Sequence, residues 1–331
     1  MRLTKQGAES ATKFRVHKDG GAVMKKTDIG GQAVIEGVMM RGHKSYAIAL
    51  RRGEEIIIKK EYAVPLTRKN KFFSLPFIRG TFALIDSLVI GIKSLTYSAE
   101  VFEEEESIEP TRFDVFLQRI FGEKLEDILM YFSVIISLIL SIVIFFIGPT
   151  YVADYARLFT KNTIVINFVE GALRILIFIL YLLLIAQMKD IKRIFEYHGA
   201  EHKAIHCLEH EEELTVENAR KYTTLHPRCG TNFLFIVMII SIIVFSFLKW
   251  PSLYVRILSR IFLLPVVAGI SYEVIKLAGR SNNKILALFV YPGLLLQKIT
   301  TKEPDDKQLE VAIASLKSVL QDEGGREFES I

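Results

Sequence analysis

A run of 20 residues without a single charge, 128–147, constrains this chain more than anything else in it. At about 1.5 Å of rise per residue, a helix of that length spans roughly 30 Å, the thickness of a bilayer's hydrocarbon core. Gly148-Pro149 is expected to stop it. Three more apolar stretches follow at 164–188, 231–248 and 257–275. A fifth, 285–299, is short and contains Pro292-Gly293, which suits a re-entrant or interfacial segment at least as well as a span. Hydrophobic residues make up 50% of the 331, and the mean hydropathy is +0.31. The expected class is therefore an α-helical polytopic membrane protein with about four transmembrane helices, and not a soluble globular enzyme. With only two cysteines, a disulfide-stapled secreted domain is excluded. A net charge of +5 is too small to argue for nucleic acid as a partner.

Before the first span lies a different kind of sequence. Residues 1–27 are polar and basic, with no apolar segment behind the charges, and read as a flexible cytoplasmic arm. Residues 28–127 read as a small α+β domain. Stretches 33–40, 45–51 and 55–64 are β-branched and separated by short glycine turns, which predicts an antiparallel meander. In 75–98, Arg79, Asp86 and Lys93 recur every seven residues, one polar stripe on an otherwise apolar helix. Such a helix either packs on the strands or lies on the membrane surface. Residues 128–299 form the expected membrane domain, and 300–331 a cytoplasmic helix and tail opened by Pro304 and Asp305. The stretch 189–230, read as a loop, carries seven basic residues, against two each in 149–163 and 249–256. The bias toward basic cytoplasmic loops places this loop and both termini in the cytoplasm, with the lipid bilayer as the first partner.

The same loop holds the chemistry. Five of the seven histidines and both cysteines fall within 198–229, where even scatter would put less than one histidine. His198-x-x-Glu201-His202 has the inverted zincin spacing, which sets two imidazoles on one helical face with a carboxylate beside them. His226 or Cys229 supplies a third ligand, leaving an open position for catalysis. All four of His198, His202, His226 and Cys229 would instead close the shell around a structural ion. Imidazole and thiolate donors favour a divalent transition metal, zinc above all. In a catalytic site Glu201 is the general base for a metal-activated water. His198 and His206 lie eight residues apart, about 12 Å along a helix, so they do not both bind the same ion and His202 pairs with one neighbour only. His206 and His210 are read as solvated.

Three stretches carry a family resemblance: Gly30-Gly31-Gln32-Ala33-Val34-Ile35-Glu36-Gly37-Val38-Met39-Met40-Arg41, Tyr197-His198-Gly199-Ala200-Glu201-His202-Lys203, and His226-Pro227-Arg228-Cys229-Gly230-Thr231. With them the chain resembles the YqhQ-type bacterial membrane proteins over about 28–300, a family of unknown function described as predicted metal-dependent enzymes. The resemblance implies a multi-pass protein of the bacterial inner membrane.

Glu36 and Arg41 are expected either to pair with each other or to face the histidine loop, where Arg41 would hold a substrate carboxylate or phosphate. Glu170 and Arg174, four apart in the second span, are expected to pair, and Glu273 to approach the metal loop. Two functions fit. One is a membrane-embedded metal-dependent hydrolase. The other is a non-enzymatic assembly or accessory factor with a structural metal, acting by binding another membrane protein. A transporter fits less well, because the chain has no internal repeat and few intramembrane charges.

Overall fold

The computed structural model describes residues 29–103, 125–248, 253–280 and 284–323. The expected basic arm at 1–27 and the end of the tail lie outside them. Four strands, β1 (Gly30–Val34), β2 (Gly37–Arg41), β3 (Ser45–Arg52) and β4 (Glu55–Tyr62), form an antiparallel sheet in sequence order. The meander is as expected, except that its first strand is two. Ile35 and Glu36 turn the chain, with Glu36 at φ 51, in the left-handed region unusual for a residue with a side chain. Gly37 follows and opens β2.

β2 and β3 are buried on both faces, so they read as apolar runs without polar alternation. One face, with Val38, Met40, Ala47 and Ala49, is covered by two helices. These are α4 (Lys189–Glu209) and α9 (Asp306–Glu323). The small Ala47 and Ala49 let α9 come close. Ser315 of α9 accepts from the Met40 amide (3.1 Å) and donates to the Ala47 carbonyl (2.8 Å), residues that face each other across β2 and β3. The other face, with Val34, Met39, Tyr46, Ile48 and Leu50, meets Ile90 of α1 (Ile78–Glu103).

The polar stripe of α1 faces protein. Asp86 pairs with Arg41 (3.4 Å) and accepts from the Leu66 amide (2.7 Å), while Arg79 holds Glu273 with both nitrogens, at 2.7 and 2.5 Å.

Among the described residues, four helices are long and apolar enough to cross a membrane: Ile78–Phe102, Phe132–Asp154, Thr163–Ile185 and Leu258–Leu277. Further helices are α2 (Leu125–Ile142, continued to Asp154), α3 (Thr163–Ile185), α5 (Val216–Arg220), α6 (Gly230–Ser246), α7 (Leu253–Arg280) and α8 (Lys284–Thr300), beside single turns such as Leu66–Lys69. Two expectations are corrected. Gly148-Pro149 does not end the first span, because a wide π turn at Val143–Ile147 absorbs the amide that proline lacks and the helix resumes over Gly148–Asp154. The expected span 231–248 is a shorter apolar helix, Gly230–Ser246.

The far end of the bundle holds a buried charge cluster. Glu170, 1% exposed, accepts from Thr150 (2.7 Å) and Arg174 (2.9 Å) and pairs with Arg260. Glu170 and Arg174 pair as expected; Arg260 was not anticipated.

Leu316 is wholly buried between the sheet and α4. Leu316→Ala should cost about 2–5 kcal/mol, as large-to-small core changes do. Denaturant unfolding in detergent, followed by tyrosine fluorescence, measures it.

Candidate metal centre

Residues 189–230 are not a loop. Half of them form α4, whose second half is almost entirely buried although it carries His198, Glu201, His202, Lys203, His206 and Glu209. Buried polar groups must find partners, and the chain around α4 provides them. His202 donates through Nδ1 to the Thr224 carbonyl (2.5 Å), and His198 through Nδ1 to the Thr300 carbonyl (2.8 Å). A carbonyl only accepts, so each ring carries its proton on Nδ1 and a lone pair on Nε2. His198 Nε2 lies 3.2 Å from Cys229 Sγ. The Nε2 of His202, 1% exposed, has no hydrogen-bond partner. One donor atom from each of His198, His202 and Cys229 lies within 4.8 Å of the others. Backbone carbonyls that fix the imidazole tautomer and leave the second nitrogen free are the usual support of a metal-binding histidine.

Two glycines make this packing possible. A Cβ on Gly199 would stand 2.0 Å from the Lys302 carbonyl oxygen, so only glycine lets α4 touch the chain after α8. A Cβ on Gly31 would stand 2.9 Å from the Glu201 side chain, so β1 closes directly over that carboxylate.

Electrostatics favour neutral rings and a reactive thiol. Burial raises the Glu201 carboxyl to about 8, with His198 pulling the other way, Cys229 adding to the rise and the Gly31 amide opposing it. Its Oε2 is buried without a hydrogen-bond partner. Burial lowers His202, and pushes His206 and His226 down to about 4. For Cys229 burial acts upward, but the adjoining His202 ring and Thr231 outweigh it and hold the thiol below its usual value. Cys207 is fully buried and raised to about 11, mainly by burial.

His226 stands one ring further on, its centroid 5.6 Å from that of His202 and 4.7 Å from that of His206. It groups with His206 and Glu209 within 4.8 Å, and not with His198, His202 and Cys229. His206 is therefore a buried member of a second donor set, where sequence spacing had left it in solvent; the signal available was its i,i+4 relation to His202. Also unanticipated was Gln297 of α8, wholly buried, which clamps His226 by accepting from its amide and donating to its carbonyl, both at 2.8 Å.

Glu36 and Arg41 do not pair, because they sit at opposite ends of β2. Glu36 is held by Arg193 of α4, with Nη2 to Oε2 at 2.6 Å, and accepts from the Tyr197 hydroxyl (3.3 Å). It thus faces the histidine helix, whereas Arg41 faces α1 through Asp86. Glu273, expected near the metal loop, is instead taken by Arg79.

The family described as "Protein of unknown function (DUF1385)" matches residues 75–322. The chain belongs to this family. It is 35% identical over 302 residues to "Uncharacterized protein YqhQ" of Bacillus subtilis (strain 168), covering 88% of this chain and 92% of that protein. No solved structure matches. The DUF1385 match takes in both donor sets, all of α4 and the Gln297 clamp. It begins after the sheet, whereas the identity to YqhQ runs over most of the chain.

In the metal-free DUF1385 protein, iodoacetamide should modify Cys229 and spare Cys207, and zinc should protect Cys229. Peptide mass spectrometry after labelling gives the result. A second expectation concerns acid. His206 and His226 bind protons more weakly folded than unfolded, so their contribution is complete above about pH 6.5 and is lost as pH falls toward about 4. Metal-free protein should melt at a lower temperature at about pH 5 than at about pH 7, and His206→Asn should flatten that difference.

Proposed function

We propose that this protein is a membrane-embedded metal-dependent enzyme, a hydrolase, with its ion held by His198, His202 and Cys229 and with Glu201 as general base. One observation carries the reading: the His202 Nε2 and the Glu201 Oε2, side chains of successive residues, are both buried without a hydrogen-bond partner. Orphaned buried groups are expensive, and a cation beside them removes the penalty for both. The donor chemistry, two imidazoles and a thiol of lowered pKa, suits zinc. Three protein ligands leave a position open, as catalytic sites do.

Held there, the ion supplies Lewis acidity and a positive charge beside Glu201. The chain's own groups do the rest. The Thr224 and Thr300 carbonyls orient the two imidazoles. The sheet closing through Gly31 keeps bulk water off Glu201, whose carboxylate takes the proton of the attacking water.

The membrane arrangement we propose follows from parity. The sheet packs on α4, α9 and the second half of α1, so the ends of these elements share one side. Phe132–Asp154 and Thr163–Ile185 then leave and return as one hairpin, and the shorter apolar α6 pairs with Leu258–Leu277 of α7 as another. Glu170, Thr150 and Arg260 mark the far end of both hairpins. α1 lies along the domain and does not cross, and α8 dips in from the near side, with Gly293 against Asn232 and Thr300 at the metal centre. The basic residues of 189–230 support a cytoplasmic near side in a bacterial inner membrane.

One observation favours the accessory-factor reading. The donor set joins α4 of the sheet domain to the first residues of α6 and the last of α8, so an ion there would also staple the domain to the membrane bundle. Glu201→Gln separates the two readings. An amide takes no proton but leaves every ligand in place, so the variant should keep its metal and fail to complement a deletion strain, while His202→Ala should lose metal and function together. Full complementation by Glu201→Gln would remove the hydrolase and leave the staple.

A further inference from the structure

We propose that His206, Glu209 and His226 hold a second divalent transition metal ion, beside the one at His198, His202 and Cys229, so that the centre is dinuclear. One donor atom from each of the three lies within 4.8 Å of the others. They are 7%, 2% and 4% exposed, a level of burial that ionisable side chains do not reach without a partner. In the protein without an ion their polar atoms meet one another, the Arg228 guanidinium and the Leu225 carbonyl.

The geometry is that of a built site. His206 and Glu209 are three apart on α4 and so share a face. His226 comes from the turn before α6 and is locked at both its amide and its carbonyl by Gln297. Its Nε2 lies 3.4 Å from Glu209 Oε2, and its Nδ1 accepts from the Arg228 amide (3.3 Å). With Nδ1 accepting, the proton of the neutral ring stands on Nε2 and faces the carboxylate; an ion bound at Nε2 would move that proton to Nδ1 and displace the Arg228 amide. Arg228 pairs with Glu209 as well, and this holds the carboxylate in place and balances its charge. Two imidazoles and one carboxylate are a recognised set for zinc, iron or manganese, with further positions free.

The two sets adjoin. Ring centroids run from His198 to His202 at 4.5 Å, on to His226 at 5.6 Å and to His206 at 4.7 Å, an unbroken row of four imidazoles. The proposal deepens the reading of the first set as a metal centre, but its ligands are separate, and the two stand or fall separately.

The sets differ in one spectroscopic respect: only the first contains a thiolate. Full-length protein in detergent, stripped with chelator and refilled with cobalt, should bind two ions per chain. It should also show a thiolate-to-cobalt charge-transfer band. Glu209→Gln and His206→Gln should each halve the cobalt content and keep the band, whose survival shows that the fold is intact. Cys229→Ser should lose the band and keep one ion. The proposal is overturned if wild type binds one ion, with the band, and Glu209→Gln leaves both unchanged; the first site then stands alone. It is overturned too if Glu209→Gln and His206→Gln each lose both ions, because the six residues then make one site. Wild type with one ion and no band, the ion lost in Glu209→Gln, would sink the first set and support the second.

Discussion

Everything in this structure is arranged around one polar helix buried at its centre. The second half of α4 carries histidine, glutamate and lysine into a space closed by the sheet, α9 and the ends of α6 and α8. Leaving such groups without partners would cost more than most domains have in net stability. The surrounding chain is therefore shaped by what α4 needs. Carbonyls of Thr224, Leu225 and Thr300 each hold one ring nitrogen. Buried Lys203 reaches the Arg220 carbonyl at 3.0 Å and Glu303 at 2.5 Å. Where that satisfaction stops, at the His202 Nε2 and the Glu201 Oε2, the site begins.

The same requirement ties the two halves of the molecule together. The turn that bears His226 and Cys229 also starts α6, and its position is set by Gln297 on α8. Gly199 lets α4 touch Lys302, so the end of α8 sits one atom's width from the histidine face. A shift of α6 against α8 would change the separation of His198 and Cys229 before it changed anything in the sheet. On the other side, the Arg79–Glu273 pair ties α1 to α7. The charge cluster of Glu170, Arg174 and Arg260 does similar work at the far end, where one buried carboxylate is shared between two guanidinium groups and a threonine hydroxyl.

Local pattern alone made much of this legible. The charge-free run at 128–147 needs a bilayer or an equivalent apolar surround, whatever the rest of the chain does. Period-two, β-branched segments with glycine turns can hardly be anything but a meander. The i,i+4 spacing of His198 and His202 is a property of any helix, so their shared face was readable at once, as was the Glu170–Arg174 pair. Those inferences depend on neighbours within a few residues, and they survive.

What needed the tertiary structure depends on contacts across hundreds of residues. Whether 189–209 is a solvated loop or a buried helix is decided by the sheet and α9 closing over it, and α9 lies more than ninety residues further on. Which third ligand joins His198 and His202 is decided by where the turn before α6 comes to rest: Cys229 falls beside them, and His226 beside His206 and Glu209. Glu36 and Arg41 are five apart in sequence, but a hairpin places them at opposite ends of one strand and gives each a different partner. The sequence by itself determined which side chains of metal-ligating type cluster within 198–229, and that His198 and His202 share one helical face. Only the packed structure sorted those residues into two sets, because ligand geometry is set by long-range backbone placement and not by spacing along the chain.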